Sequence, residues 1–303
     1  MKAYANLSTD SLPLVSVLLP VFNGGQFLLP AVLSIIRQTY SQWELILIDD
    51  GSSDGCIKLI VELNHPQIFI YHNKQNMGLA ASLNRAIHLA SGKYFARMDA
   101  DDLAFTNRLE LQVKFLEENL DVDLLASRVL CFNQKTKEVL GYLPFLEFHE
   151  EISQKAFSGI HMPHPSWMGR REWFLAHHYL MPEVIRAEDQ ELLLRALPTS
   201  RYAALPETLL AYSYNKLSLE RLIKTRYSLL KAQLRIFSSQ RAWNLYLASC
   251  GCFVCKAFLD ILRLAPILSF VGMGRKKSEI TLDDLSQFKD LMIATENRSV
   301  DRK

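Results

Sequence analysis

Along the front of the chain, short unbroken apolar runs alternate with stretches whose apolar residues recur every three or four positions. Val15 to Val21 (VSVLLPV) is continuously apolar, as strands covered on both faces are. The turn Asn23-Gly24-Gly25 follows, and Phe27 to Gln38 carries the period of an amphipathic helix. Glu44 to Ile48 reads as a second strand. It is closed by the polar loop Asp49 to Asp54, in which Ser52 or Ser53 can cap a helix reaching about Leu63. The pattern then predicts a short strand at Ile68 to Tyr71, a turn at Asn76-Met77-Gly78 and a helix from Leu79 to Ala90. After the Ser91-Gly92 break, Lys93 to Met98 is the next strand. This alternation is that of an α/β chain with an open, mostly parallel sheet and helices on both faces.

Further on, Asn107 to Glu118 predicts a helix, Asp123 to Phe132 a strand and Glu147 to Phe157 a short helix. Ala187 to Leu197 predicts a helix that opens on Glu188-Asp189. After Tyr214 the pattern is helical to the end, with breaks at Gly251, Pro266 and Gly272-Met273-Gly274. Charge changes at the same place. Residues 1–214 hold 18 Lys+Arg against 24 Asp+Glu, and residues 215–303 hold 16 against 8. The expected organisation is therefore an α/β domain over 12–214 and a C-terminal helical region over 215–303.

In that rear region Leu245 to Met273 is strongly apolar, yet Lys256, Asp260 and Arg263 interrupt it. It makes a poor spanning helix. With Arg275-Lys276-Lys277 beyond it, the segment suits a helix lying on an anionic membrane, and equally one that packs on the front domain. The five cysteines form neither a disulfide framework nor a zinc pattern, and MKAYANLSTDSLP lacks the apolar middle of a signal peptide. A cytoplasmic protein is the expectation, and the membrane reading of the rear segment would make it peripheral at the inner face of the cell membrane. No nucleic-acid partner is expected.

The chemistry concentrates in RMDADD, Arg97 to Asp102, where three carboxylates fall within four residues at the end of a strand. Such crowded acids repel one another, and a cation relieves them. Hard divalent ions take oxygen ligands and complete their shell with water and phosphate oxygens. The Pro20–Asn23 loop, Asp49/Asp50 and Asp99/Asp101/Asp102 all sit at carboxyl ends of predicted strands, where ligands of open α/β sheets bind. No G-x-G-x-x-G follows the first strand and no G-x-x-x-x-G-K-[ST] occurs. Nicotinamide and P-loop readings therefore fit badly.

VSVLLPVFNGGQFLLPAVLSIIRQTYSQWELILIDDGSSDG, NMGLAASLNRAI, GKYFARMDADD and AEDQELLLR occur in the order and approximate spacing of family 2 glycosyltransferases. Over roughly residues 14–200 the chain resembles these inverting, GT-A fold enzymes, which use nucleotide-diphosphate sugars. The resemblance implies that Pro20 and Phe22 border the nucleobase and that Asp50 hydrogen-bonds it. Asp99 and Asp101 would contact the ribose and donor sugar. Asp101 and Asp102 would hold Mg²⁺ or Mn²⁺, with Asp102 as the direct ligand, and Asp189 would be the catalytic base. His164, Trp167 and Glu188 are candidates for the acceptor site. His164 could equally be a structural turn residue, core packing is the stronger reading of Trp167, and Glu188 could be a helix-start acid. Asp49 and Asp54 read as loop and cap residues.

The resemblance also implies a non-processive transferase that adds one sugar to a glycan or lipid-linked acceptor, as in surface polysaccharide synthesis. Many relatives have an arginine where this chain has Leu83, so a donor-phosphate arginine is absent or displaced here. Two other readings stand beside it: a sugar nucleotidyltransferase, which would want a basic glycine-rich loop that Asn23-Gly24-Gly25-Gln26 does not supply, and an inactive scaffold.

Overall fold

Strand β1 (Val15–Val21) sends Val15, Val17, Leu19 and Val21 into one apolar layer and Leu18 into another. β2 (Trp43–Asp49) divides Leu45 and Leu47 from Ile46 and Ile48 in the same way. That period of two, with apolar residues on both sides, requires helices on both faces of the sheet. The computed structural model describes residues 12–181, 186–214, 219–262 and 280–296 and contains that arrangement. Helices α1 (Leu28–Ile36) and α2 (Cys56–Leu63) supply Val32, Ile35 and Ile60 to the first layer; α3 (Leu79–Leu89) supplies Leu83, Ala86 and Ile87 to the second.

β3 (Ile68–His72) and β4 (Tyr94–Arg97) complete a parallel half-sheet in the order β3-β2-β1-β4. Among the described residues the sheet has nine strands and continues through short or irregular ones. These are β5 (Leu103–Ala104), β6 (Leu124–Asn133), β7 (Val139–Tyr142), β8 (Met168–Arg170) and β9 (Tyr202–Tyr214). β8 lies antiparallel between β4 and β6, while β6 and β9 form a long parallel ladder. Helix α4 (Arg108–Glu118) covers the first layer. The second is covered by α6 (Arg171–Ala176) and α7 (Glu188–Ala196), and α5 (His149–Gln154) adds Ile152 to it.

The rear helices are α8 (Leu219–Ser239), α9 (Trp243–Leu262) and α10 (Leu282–Glu296). α8 buries Ile236 and Phe237 in the second layer, and Gln233 Nε2 donates to the carbonyls of Ala156 and Phe157 at 2.9 Å. α10 buries Phe288 and Leu291 against Leu103, Phe105, Leu130 and Phe132. Full burial of each such side chain contributes about 1.5–3 kcal/mol. The packing alternative for the rear segment thus describes the inward faces of these helices. The second part of Leu245 to Met273, Arg275-Lys276-Lys277 and the N-terminal MKAYANLSTDS lie outside the described residues. No described helix is long and apolar enough to cross a membrane.

One local expectation changes. Ser52 and Ser53 do not cap α2; Asp54 Oδ1 accepts the Cys56 N–H at 3.1 Å instead. The serines are turned toward the loop after β1.

Candidate active site

The loops after β1 and β2 are clasped together. Asn23 N–H donates to Ser52 Oγ at 2.9 Å, Ser53 N–H donates to Asn23 Oδ1 at 2.9 Å, and Gly25 N–H donates to Asp54 Oδ2 at 2.7 Å. Phe22 stands beside the clasp with half its surface exposed, at 50%, while Pro20 is buried in the strand below. An exposed ring at the carboxyl end of a central strand can serve as a platform for a flat base.

Asp50 has a task the sequence did not announce. Its Oδ1 accepts from Asn73 Nδ2 (2.6 Å) and Met77 N–H (2.9 Å), and its Oδ2 accepts the Gly78 N–H at 2.8 Å. Gly78 turns the chain there with φ +89°, a conformation that suits glycine. Asp50 therefore anchors the 73–78 turn, and Oδ2, with one bond, keeps the spare acceptor capacity of a carboxylate. Arg85 lies two positions after Leu83. Its Nη1 donates to His72 O at 2.7 Å and to Asn73 Oδ1 at 2.5 Å, bracing Asn73 behind Asp50.

β4 delivers the acidic cluster to the same edge. Arg97, buried in that strand, pairs through Nη2 with Asp99 Oδ1 at 2.5 Å. Asp101 is partly exposed and its Oδ2 accepts from Gln134 Nε2 at 3.3 Å. Asp102 is fully buried; its Oδ1 accepts the Ser213 N–H of β9 at 2.8 Å, while Oδ2 has no hydrogen-bond partner among the described residues. Burial, then the charge of Asp99, pushes the Asp101 carboxyl up to about 6. Burial, then Asp99 and Asp101, pushes Asp102 well above the ordinary carboxylate range. Two acids whose ionisation is opposed by burial and by the neighbouring Asp99, with a buried carboxylate oxygen left over, are a donor set that fits a hard cation. No described site gathers three His, Cys, Asp or Glu side chains around one point. Water and ligand oxygens would have to complete the shell of an ion held by Asp101 and Asp102.

α7 supplies a second group of acids, and each residue of its motif has a separate job. Ala187 takes the left-handed conformation (φ 57°, ψ 35°), a strain of about 1–2 kcal/mol for a non-glycine residue, and turns the chain into the helix. Gln190 is bonded both ways to the Ile160 backbone, at 2.8 and 3.0 Å. Glu191 is fully buried and pairs with Arg195 at 3.0 Å and with Arg235 of α8 at 2.6 Å. That leaves Glu188 and Asp189 for the site. Asp189 borders two clefts. One, of about 310 Å³, is also lined by Met162, His164, Tyr212 and Tyr214; the other, of about 500 Å³, by Glu188, Thr225 and Leu229. Burial raises the pKa of Asp189, and burial followed by the charge of Asp189 raises that of Glu188.

His164 lines the first cleft but is largely buried. Its Nε2 meets Tyr179 Oη at 2.7 Å and its ring packs edge-on against Trp167 at 4.5 Å. Burial, then Arg97, lowers its pKa well below the ordinary value, so the imidazole is neutral. Trp167 drops out of the acceptor-site candidates and follows the packing reading. It has no exposed surface, and its Nε1 donates to Met162 O at 3.1 Å. Having no free ring face, it cannot stack on an acceptor sugar and instead forms the wall behind His164.

Arg97 brings the two acidic groups together, since its charge acts on Asp101 and Asp102 and also on Glu188 and Asp189. Arg108, also fully buried, donates from Nη2 to the Arg97 carbonyl at 2.7 Å and places a second cation behind the cluster. The roles of Arg97, Arg108 and Ser213 were not read from the sequence. The available signal was a cation inside the apolar strand YFAR, next to acids it could neutralise. On the other side, Asp101 shares a cavity of about 230 Å³ with Gln26, Phe27, Lys137 and the α10 residues Met292 and Thr295. The β1 loop, the acidic cluster and α10 therefore meet around one space.

Comparison with known proteins adds to this geometry. A family model described as "Glycosyl transferase family 2" matches residues 16–177, ending before α7. EpsE of Bacillus subtilis, named as a glycosyltransferase, is 40% identical over 128 residues, which are 41% of this chain and 46% of EpsE. The Escherichia coli protein named UDP-Glc:alpha-D-GlcNAc-diphosphoundecaprenol beta-1,3-glucosyltransferase WfgD is 34% identical over 106 residues, 35% of this chain and 42% of WfgD. The chain thus spans less than half the length of either relative. A mannosyltransferase of Pyrobaculum calidifontis, solved with GDP-Man and Mn²⁺, superimposes with a TM-score of 0.58 at 15% identity, over 97% of this chain and 89% of that one. At that identity the likeness carries the GT-A fold alone.

Proposed function

The chain belongs to glycosyl transferase family 2, and from that premise we propose that it moves one sugar from a nucleotide-diphosphate sugar to a hydroxyl of a glycan or lipid-linked acceptor, inverting the anomeric carbon. The observation that carries this reading is the position of Asp189. It borders two open clefts and lies within electrostatic reach of Arg97, as do the crowded acids that follow β4.

In this reading Phe22 and Pro20 border the nucleobase, and the spare acceptor capacity of Asp50 Oδ2 takes a base N–H. Asp99, oriented by Arg97, and Asp101 contact the ribose and donor sugar. Asp101 and Asp102 hold Mg²⁺ or Mn²⁺, which when bound stabilises charge on the departing diphosphate. A sugar hydroxyl is a poor nucleophile, and Asp189 accepts its proton as the oxygen attacks from the face opposite the diphosphate. One displacement inverts the centre. Burial helps Asp189 here, because a raised pKa strengthens the carboxylate as a base. His164, neutral and held by Tyr179, and Glu188 shape the acceptor side.

The named activities of the relatives support this choice of substrates. WfgD is named for a UDP-sugar donor and a lipid-diphosphate acceptor, and the archaeal mannosyltransferase was solved with a nucleotide sugar and Mn²⁺. A lipid-linked acceptor would place the protein at the inner membrane surface. Screening UDP-, GDP- and dTDP-sugars for metal-dependent hydrolysis or transfer tests the proposal, with the product's anomeric configuration read by NMR. Turnover with inversion is expected. Turnover unaffected by EDTA, or retention of configuration, would sink the mechanism.

A further inference from the structure

Helix α9 is inverted relative to an ordinary surface helix, which turns its polar side outward. Both of its charged residues face the protein: Lys256 Nζ donates to Ser158 O at 2.8 Å, and buried Asp260 pairs with Arg226 of α8 at 2.6 Å. Its outward stripe is apolar. Trp243, Leu247, Val254 and Phe258 recur at helical spacing with Gly251 among them, Leu259 lies alongside, and Leu247 and Phe258 are 70% and 60% exposed. Beside them α8 exposes Ile223 and Tyr227. A contiguous exposed apolar face of this kind marks an interaction surface.

Charge identifies the occupant. Residues 219–262 hold seven Lys+Arg against two Asp+Glu, and both acids are paired, Glu220 with Lys224 and Asp260 with Arg226. A second copy joined through this face by two-fold symmetry would set like charges opposite one another. Lys256 and Arg226 are engaged inward, but Arg221, Lys231 and Arg241 are exposed, and an anionic lipid surface complements the apolar stripe and these cations, at about 1 kcal/mol for a cation near headgroups. The sequence that continues from α9, residues 263–279, adds four further basic residues against one acid.

The same hairpin reaches the site. Thr225 and Leu229 of α8 line the cleft that Glu188 and Asp189 border, while Ile223 and Tyr227 are exposed on that helix. Only the width of a helix, about 10 Å, separates the two faces of α8. We propose that the outward face of the α8–α9 hairpin docks on an anionic bilayer and presents the Asp189 cleft to an acceptor whose lipid stays in the membrane. The choice of acceptor rests on the transferase reading above; the docking does not.

The test is co-sedimentation of the full chain with phosphatidylglycerol–phosphatidylcholine vesicles, beside the double variant Leu247→Glu/Phe258→Glu. Binding that weakens with added salt is expected, and the variant should partition at least about tenfold more weakly. The variant should keep the wild-type melting temperature and the wild-type turnover of nucleotide sugar with a water-soluble acceptor. The docking is overturned by a wild type that stays in the supernatant or by a variant that still sediments. It is equally overturned if light scattering shows the variant converting a dimer to monomers, which assigns the face to a second copy. A large fall in melting temperature would assign it to the chain's own packing. Vesicle binding by a protein that turns over no sugar would leave the docking standing and overturn the catalytic reading alone.

Discussion

Replacing Asp101 by Asn should make the metal-free protein more stable. The isosteric amide keeps an oxygen to accept from Gln134 and removes a charge that burial and Asp99 both oppose. The Asp101 carboxyl is raised from 3.8 to about 6 in the folded protein. Between those values the native state holds a proton that the unfolded chain has released, so the group's contribution to stability falls as pH rises through that window. Each pH unit of that interval corresponds to about 1.4 kcal/mol, giving roughly 3 kcal/mol lost by neutral pH. Asp101 is partly exposed, and solvent screening brings the expected gain to about 1–2 kcal/mol. Thermal unfolding in EDTA, at several pH values, is the assay. At about pH 7.5 Asp101→Asn should melt about 2–5 °C above wild type, and below about pH 4 the difference should vanish. A variant less stable at neutral pH, or one with the wild type's pH slope, would refute the claim that these acids are crowded against their own ionisation.

Three further outcomes are expected. Asp189→Asn should leave nucleotide affinity nearly unchanged and lower kcat by at least ~10²-fold in a steady-state transfer assay; an equal loss of donor binding would make Asp189 a donor-site group. The acid limb of the pH–kcat profile should lie above the ordinary carboxylate range, because burial raises Asp189 and the base must be ionised; a limb at about pH 4 would contradict that assignment. Phe22→Ala should weaken nucleotide binding by about tenfold, within the usual range for base–aromatic stacking, with no loss of melting temperature; unchanged affinity would remove Phe22 from the base platform.

The front of the fold was legible because β1 to β4 are continuous apolar runs flanked by helical periods and glycine turns. The rest was less legible for specific reasons. β5 and β8 have two and three residues, too few to show a period. β9 carries exposed Pro206-Glu207 in its middle, where its register with β6 shifts, so it reads as loop. The acids of the site were legible because three carboxylates at a strand end need a reason. Their supports were not, since Arg97 and Arg108 are residue types normally found at the surface and only the tertiary arrangement shows them buried together. Trp167 and Asp50 show the complementary limit. Residue type suggested a contact to substrate, whereas Trp167 is enclosed by core and Asp50 carries a turn as well.

The central claim is that the acids following β4 hold a divalent cation against the diphosphate of a nucleotide. Isothermal titration calorimetry of UDP, and of GDP and dTDP in parallel, with Mn²⁺ and then with EDTA tests it most directly, using wild type and Asp102→Asn. The account predicts that one nucleotide binds wild type with Mn²⁺, binds far more weakly in EDTA, and shows no metal-dependent gain with Asp102→Asn. Equal binding with and without the metal, or a full metal-dependent gain in Asp102→Asn, would contradict it.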